Sequence, residues 1–321
     1  MKNSVLSAIF LLFGFVFVNG QQTNPTPTYS PVPTPDVRVI IRNQQEANRR
    51  FDGLRNGRNS NVDTFRLRQI FFQTIEPLYR KPTREELNLL APNSADMAKY
   101  ADFLKQSNTG ITRLIIDLGC ADNPNVVSAN PHCLKYTMPG AGSSFSFRTN
   151  TYRIRRLADL TYSKDGFHTT GIWLHGVLVN LGDVPLEQIS LMTKGVKFIS
   201  DFAPVSDYKQ AAETERQISA GITNDGFLYG GALAVQEDAT YILRSIAYRG
   251  SVMRAVQSIA YNELDFDKRK DILVTFRIIR KDDESITILW KEINSKKSPK
   301  IEIEDEEENK PKQNNLVAET E

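Results

Sequence analysis

The sequence lacks the short motifs that mark the common catalytic and nucleotide-binding sites. It contains no G-x-S-x-G nucleophile elbow, no H-E-x-x-H zinc motif, no Walker lysine loop and no acidic calcium loop of the EF-hand type. Residues 139–143 resemble half of a dinucleotide-binding loop, but a third glycine is absent and a strand pattern follows instead of a helix. No set of residues therefore forms a catalytic signature, and the sequence predicts no cofactor.

Histidine is scarce, with three residues in a chain of 321. His168 and His175 are an odd number of positions apart, so a single strand would place their side chains on opposite faces. That placement argues against a shared metal ion or proton relay, and each is predicted to be a sheet histidine with its own partners. The sequence predicts no metal site.

Cysteine is limited to Cys120 and Cys133, with twelve residues between them. In an exported chain such a pair is predicted to form a disulfide, which in the chain-entropy model stabilises the fold by roughly 3 kcal/mol. The alternative is a metal site that uses His132 beside Cys133. Adjacent residues rarely point at one ion, and no CxxC or HxxxH pair accompanies them, so the disulfide is favoured.

Long apolar runs are absent except at the N-terminus. Lys2 precedes an uncharged apolar stretch at residues 5–18, and small residues stand at the usual positions before a cleavage after Gly20. This layout of residues 1–20 is typical of a secretory signal peptide. An uncleaved membrane anchor is the alternative, but 14 residues fall short of the roughly 20 that a spanning helix needs. We therefore expect an exported protein, periplasmic or secreted, with no transmembrane segment after cleavage.

The rest of the chain divides by composition and periodicity. Residues 21–36 carry five prolines and form a predicted linker. Residues 37–110 show apolar residues at helical spacing, with a capping box that begins at Thr83. Residues 111–296 show short alternating runs joined by turns, and residues 297–321 form an acidic tail that is predicted to be disordered. The predicted class is α+β, a small N-terminal helical region followed by a mainly antiparallel β-sandwich or barrel-like domain.

Three stretches carry the strand prediction. Residues 171–181 are apolar on both faces, which predicts a central strand covered on both sides. Before them, Asp165 and Gly166 stand between two extended runs and predict a hairpin with a type I′ turn. Alternating apolar residues at 272–279 and 286–290 predict the last hairpin.

The formal net charge of +2 is unevenly distributed. Residues 299–321 hold eight acidic residues and three lysines, so the remainder of the chain is mildly basic. Arginines cluster near the start of the folded part and again at residues 148–156, and such clusters can meet an anionic polymer or phospholipid head groups. The favoured interpretation is solvated surface, with Arg153 and Arg155 on the exposed face of a strand. Nucleic acid is not predicted as a partner, because the chain is exported and lacks a recognition motif.

Two functions from different classes remain open. The first is an exported, non-catalytic binding or structural protein of the cell envelope or extracellular space, whose partner is an envelope protein or an anionic polymer. The second is a β-sandwich carbohydrate-active hydrolase that uses paired carboxylates across a cleft. Asp183 and Glu187 are the candidate catalytic pair, and Trp173 is the candidate platform for a sugar ring. The first function is favoured, because Asp183 lies in a predicted turn where it would cap backbone groups and Glu187 is an ordinary polar residue after a proline.

Overall fold

A computed structural model of the chain describes residue 69 and residues 71–121, 137–256 and 259–301. All of them fall within the unit Asp36–Glu321. The predicted signal peptide, the linker, the first part of the helical region and nearly all of the acidic tail lie outside the described residues. The domain boundaries proposed for those segments therefore stay predictions.

The described part of the helical region is a series of short helical turns. Thr83 Oγ1 accepts a hydrogen bond from Glu86 N at 3.2 Å, and Glu86 Oε2 accepts one from Thr83 N at 2.8 Å, so the predicted capping box is confirmed. The elements are a π-helical turn Phe71–Ile75, a 3₁₀ turn Glu76–Tyr79, and helices α1 (Arg84–Leu89), α2 (Ser94–Lys99) and α3 (Ala101–Leu104).

The β region contains most of the described residues. Two helices interrupt it, the short α4 (Val196–Asp201) and the longer α5 (Tyr208–Ala220), and single 3₁₀ turns include Leu186–Gln188 and Glu263–Phe266. The strands in chain order are β1 (Thr109–Ile115), β2 (Ser144–Ser146), β3 (Thr151–Tyr152), β4 (Leu160–Ser163), β5 (Gly166–Thr169), β6 (Leu174–Gly182), β7 (Ile222–Asn224), β8 (Phe227–Gly230), β9 (Ala232–Leu233), β10 (Thr240–Ala247), β11 (Met253–Val256), β12 (Ile259–Asn262), β13 (Lys270–Lys281) and β14 (Ser285–Lys297).

These strands form two open sheets and a separate hairpin. The larger sheet has seven strands in the order β1-β14-β13-β10-β6-β8-β7, the smaller has five in the order β3-β2-β4-β5-β9, and β11 pairs with β12. Every pair of these strands runs antiparallel. The predicted class, a small helical region followed by a mainly antiparallel β domain, is confirmed for the described residues.

The sheets contain the two predicted hairpins and the predicted central strand, with one difference in a turn. The last hairpin is confirmed, since Phe276 of β13 lies opposite Trp290 of β14. Strand β6 lies between β10 and β8, and its middle residues are buried on both faces, as predicted. The hairpin of β4 and β5 is also confirmed, but Ser163 pairs with Gly166, so the two turn residues are Lys164 and Asp165 instead of Asp165 and Gly166.

The two sheets enclose an aromatic core. Phe276 of the larger sheet lies at its centre, stacked on Tyr241 with ring centroids 5.3 Å apart. The ring of Phe167 in the smaller sheet meets Phe276 edge-on at 5.1 Å, and Phe147 lies 6.2 Å away. Aromatic pairs at these distances contribute beyond their buried area, so this layer fixes how the sheets face each other.

The outer face of the larger sheet is covered by α4 and α5. Val196 and Ile199 of α4 and Ile218 of α5 pack against buried residues of the sheet such as Val177 and Ile242. With both faces covered, all eight residues of β10 are buried. No helix in the described ranges combines the length and the apolar character that crossing a membrane would require.

His168 and His175 lie on different strands, β5 and β6, so the prediction that they share one strand is wrong. His168 Nε2 lies 3.0 Å from Asp165 Oδ1. His175 is buried, and because Ala211 O can only accept, its Nε2 donates to that carbonyl at 3.0 Å and Nδ1 accepts from the Tyr248 hydroxyl at 3.0 Å. Burial lowers the pKa of His175, so the neutral ring holds α5 on the sheet.

Helix α5 also carries a carboxyl group, that of Glu215, which is buried without full hydrogen bonding to the described residues. Glu215 lies one turn after Ala211, on the same face of the helix. Its Oε2 atom is buried and has no hydrogen-bond partner among the described residues. Burial raises the pKa of Glu215 from 4.5 to about 7. The carboxyl group is therefore tolerated under α5 mainly in its neutral form.

We expect Glu215→Gln to stabilise the protein at pH 8 and to have little effect at pH 5. A carboxyl group with a higher pKa in the folded than in the unfolded state lowers the free energy of unfolding as the pH rises from about 4.5 to about 7. The neutral amide removes that loss, so the gain at pH 8 should approach but not exceed about 3 kcal/mol. Urea unfolding at the two pH values measures it.

The matched control is Glu213→Gln on the exposed side of the same helix, where Glu213 pairs with Arg216 at 3.0 Å. The pH response of His175 is shared by all three proteins and cancels in the comparison. An equal gain at both pH values, or an equal gain in the control, would contradict the role assigned to Glu215.

Candidate functional site

The two carboxylates proposed for hydrolysis lie on the outside of the protein. Asp183 follows β6 with its side chain 78% exposed, and its Oδ1 accepts a hydrogen bond from Arg277 Nη2 at 2.7 Å. Glu187 is exposed in the 3₁₀ turn Leu186–Gln188. Asp183 is thus a partner of Arg277, and the structure gives neither carboxylate an enclosed position.

Trp173 lies at the opposite end of β6. It immediately precedes the strand, with a positive φ of 50°, while Asp183 immediately follows it. The nine residues of β6 lie between them, and this length of nearly extended chain separates the two positions by about 30 Å. The Trp173 ring instead packs with Tyr248 and Ile301, and the structure does not bring it together with the two carboxylates.

The two cysteines can be described only in part. Cys120 is 4% exposed, and its backbone N–H is one of three that donate to Asp117 Oδ1, together with those of Gly119 and Ala121. Cys133 lies outside the described residues. The disulfide between them stays a prediction.

The sequence favours a solvated surface for the arginines at residues 148–156, whereas the structure buries two of them and leaves the other two about one third exposed. Arg148 and Arg153 are each 5% exposed, and Arg156 donates to both carboxylate oxygens of the buried Glu263. Arg155 is about a third exposed and lies 3.6 Å from Asp117. The prediction that Arg153 lies on the exposed face of a strand is therefore wrong, and the cluster is not a solvated surface.

Asp159 organises the buried charges between the sheets. Its side chain is fully buried and accepts from Arg148 Nε at 2.7 Å and from Ser146 Oγ at 3.1 Å, both from the chain around β2. It also accepts from Ser245 Oγ of β10 at 2.5 Å. One carboxylate thus connects the smaller sheet to the larger sheet.

Arg148 extends this network to the segment that precedes β13. Its Nη1 lies 2.5 Å from Asp267 Oδ2, and the same carboxylate oxygen accepts from Arg269 Nη1 at 2.8 Å. Arg269 is mostly buried, and its other nitrogens donate to backbone carbonyls. Two aspartates are therefore shared between two arginines in the interior.

Arg153 lies beside this network without a carboxylate of its own. Its Nη1 donates to Tyr79 O at 2.9 Å, and its Nη2 donates to Phe266 O. Its Nε is buried and has no hydrogen-bond partner among the described residues. Burial lowers the pKa of Arg153, Asp267 partly offsets this effect, and Arg148 adds to it.

The same arginine lines an open groove of about 540 Å³ at the junction of the helical region and the β domain. We call it the Arg153 groove. The other residues that line it are Glu76, Pro77, Tyr79, Arg80, Lys81 and Phe266.

Aromatic stacking and one buried carboxylate frame the Arg153 groove. The Tyr79 ring stacks on Phe266 with centroids 4.3 Å apart and planes 16° apart. The Tyr79 hydroxyl donates to Glu263 Oε1 at 3.1 Å and lies 2.9 Å from the Tyr261 hydroxyl. Because Glu263 is held in turn by Arg156 at 2.7 Å, the wall of the groove is fixed by contacts on both sides.

The charged side chains at the rim of the groove differ in exposure and in pairing. Arg80 donates to both oxygens of Glu86 at 2.7 Å, and this pairing lowers the pKa of Glu86 to about 2. Lys81 is exposed, and Glu76 on the other side of Pro77 is exposed as well. The groove thus offers one accessible cation, Lys81, beside a wall of rings that stack on one another, which suits binding and positioning of a ligand.

Within the described ranges, no group of three or more histidine, cysteine, aspartate or glutamate side chains is placed to hold a metal ion. The groove has one carboxylate among its lining residues, whereas glycoside hydrolysis needs two across a cleft. The fold and the groove together define a β-sandwich-like arrangement of two antiparallel sheets with a groove on its surface. Comparison with protein-family models, with curated proteins and with solved structures finds no match to this chain.

We expect Arg148→Met to lower the free energy of unfolding by about 3 to 5 kcal/mol, because it leaves Asp159 and Asp267 buried with less compensating charge. Guanidinium unfolding of the purified chain measures the loss. Arg249→Met is the matched control, since Arg249 is exposed, and it should change stability by less than about 0.5 kcal/mol. A loss below about 1 kcal/mol for Arg148→Met would show that the network contributes little.

Proposed function

We propose that the protein is an exported, non-catalytic binding protein of the cell envelope or extracellular space that holds a polymer segment in the Arg153 groove. The observation that carries this proposal is the groove itself, where a stacked tyrosine and phenylalanine meet a buried arginine and an exposed lysine. Tyrosine and arginine are among the side chains that contribute most to binding energy at protein interfaces.

The rigid setting of the groove supports a binding role. Arg153 ties the backbone of the helical region, at Tyr79, to the backbone of the β domain, at Phe266. Tyr79 is held a second time through Glu263. A site held in place by such contacts loses little conformational entropy when a ligand binds.

The hydrolase alternative receives no comparable support. Asp183 is exposed and paired with Arg277, Glu187 is exposed, and Trp173 lies at the far end of β6. Paired catalytic carboxylates must face each other at roughly 5 to 9.5 Å across a cleft. The described residues that line the Arg153 groove include Glu76 as their single carboxylate.

Export is part of the proposal and rests on sequence. Residues 1–20 have the layout of a signal peptide, and residues 21–36 form a proline-rich spacer between that segment and the folded part. The predicted disulfide between Cys120 and Cys133 belongs to the same oxidising setting. An envelope or extracellular polymer is then within reach, whereas an intracellular one is not.

The proposal is tested by incubating the full chain with a panel of soluble polysaccharides and other polymers and measuring both binding and cleavage. We expect saturable binding of at least one polymer, recovery of that polymer at unchanged length, and slower amide hydrogen exchange on binding at residues 76–81 and 266. Saturable binding should persist in the double variant Asp183→Ala, Glu187→Ala. Polymer shortening by the wild type that disappears in the double variant would contradict the proposal and favour the hydrolase.

A further inference from the structure

Arg153 is a buried cation whose charge is not neutralised by an ion pair with the described residues. It is 5% exposed, it donates to two backbone carbonyls, and its Nε has no hydrogen-bond partner in the part of the chain that the structure describes. Buried charges in folded proteins are normally paired, because removing an ion from water costs several kcal/mol. An exception of this kind requires a physical explanation.

The neighbouring aspartates compensate the charge of Arg153 only in part, since Asp267 attracts it without an ion-pair contact. Asp159 is bonded to Arg148, and Asp267 is shared between Arg148 and Arg269. The cluster therefore contains three arginines and two aspartates, all largely buried, and carries an excess of one positive charge. Among the described residues, Arg153 is the member of the cluster that has no carboxylate in direct contact.

This excess positive charge lies beside a surface that a ligand can reach. Arg153 lines the groove together with Lys81, which is exposed, and Arg80, whose side chain is 37% exposed although paired with Glu86. Glu76 is the one acidic residue among the lining residues. Electrostatic attraction is strengthened next to a low-dielectric interior, so the groove favours a negative group over a neutral one.

We infer that the Arg153 groove binds an oxyanion group, a carboxylate, sulfate or phosphate, carried by an anionic polymer. The inference rests on the proposed function and adds the charge of the ligand to it. Lys81 would pair with the oxyanion directly, and Arg153 would act through its field from beneath the groove. Neutral parts of the polymer would lie against the wall of the groove that Tyr79 and Phe266 help to form.

A ligand that bound through the rings alone would behave differently. Its affinity would not depend on its charge, and added salt would weaken it little. An oxyanion bound through Lys81 and Arg153 loses affinity as salt screens the attraction. Charge dependence and salt dependence measured at the groove therefore separate the two cases.

The test titrates the full chain with polygalacturonate, dextran sulfate, polyphosphate and uncharged dextran at low and physiological salt. We expect at least one of the three anionic polymers to bind, with affinity that falls as salt rises, and dextran not to bind. Lys81→Glu should weaken that affinity roughly five- to tenfold, and Glu76→Gln should strengthen it roughly twofold. Which anionic polymer binds best identifies the source of the oxyanion.

The control variant is Lys164→Glu, which makes the same charge change at an exposed lysine in the turn between β4 and β5. It should leave the affinity unchanged. An equal loss in Lys81→Glu and Lys164→Glu would assign binding to the general charge of the surface and overturn the inference. All of these residues are exposed, so the variants are expected to fold.

The two proposals fail in different ways. If dextran binds as tightly as the anionic polymers and protects residues 76–81, the proposed function stands and the oxyanion inference is overturned. If no polymer of any kind binds, the proposed function is contradicted. The inference is then judged by whether sodium sulfate raises the Tm above sodium chloride at equal ionic strength by less in Lys81→Glu than in the wild type and in Lys164→Glu, because the general stabilisation by sulfate is common to all three proteins. An equal gain in all three proteins would overturn it.

Discussion

The structure depends on ion pairs between buried arginines and buried aspartates. Asp159 is fully buried between the sheets and is bonded to Arg148, to Ser146 near one sheet and to Ser245 in the other. Loss of either Arg148 or Asp159 would leave the other charge buried and uncompensated. Because the Asp159 carboxylate also accepts hydrogen bonds from both sheets, it holds the sheets in one relative position. The aromatic layer around Phe276 packs in the same interface, but apolar packing alone specifies position less strictly than directional hydrogen bonds.

The same constraint links the fold to the candidate site. Arg148 and Arg269 use the two aspartates, which leaves Arg153 to bond only with backbone carbonyls. Those carbonyls belong to Tyr79 and Phe266, whose rings stack in the wall of the groove. The arginine that joins the helical region to the β domain is therefore also the one that makes the groove electropositive.

Local features of the fold could be predicted from the sequence because their determinants are close together in the chain. The Thr83 capping box spans four residues, and the β13–β14 hairpin is defined by alternation and a charged turn. The prediction of a type I′ turn at Asp165 and Gly166 was wrong, because the glycine is required by a contact with a residue far away in the sequence. A Cβ atom on Gly166 would lie 2.2 Å from Leu233 O, so this glycine permits close approach of β9 instead of forming a type I′ turn.

The site could not be predicted because its residues meet from distant parts of the chain. Tyr152 to Arg155 alternate like an amphipathic strand, yet the partners of Arg153 are the carbonyls of Tyr79 and Phe266, far away in both directions. The pattern of one segment does not reveal a buried counter-charge, or the lack of one, in another. Trp173 and Asp183 show the converse, since they are near in sequence and about 30 Å apart along β6.

The most direct measurement of the central claim is the NMR signal of the arginine Nε–Hε groups in the full chain, recorded while the best-binding anionic polymer is added. The Nε–Hε signal of Arg153 should shift saturably, with the same Kd as the binding curve. The signal of Arg244, which is equally buried but paired with Asp271 at 2.8 Å, should not move. Saturable binding that leaves the Arg153 signal unchanged would contradict the account, because it would show that the uncompensated charge takes no part in recognition.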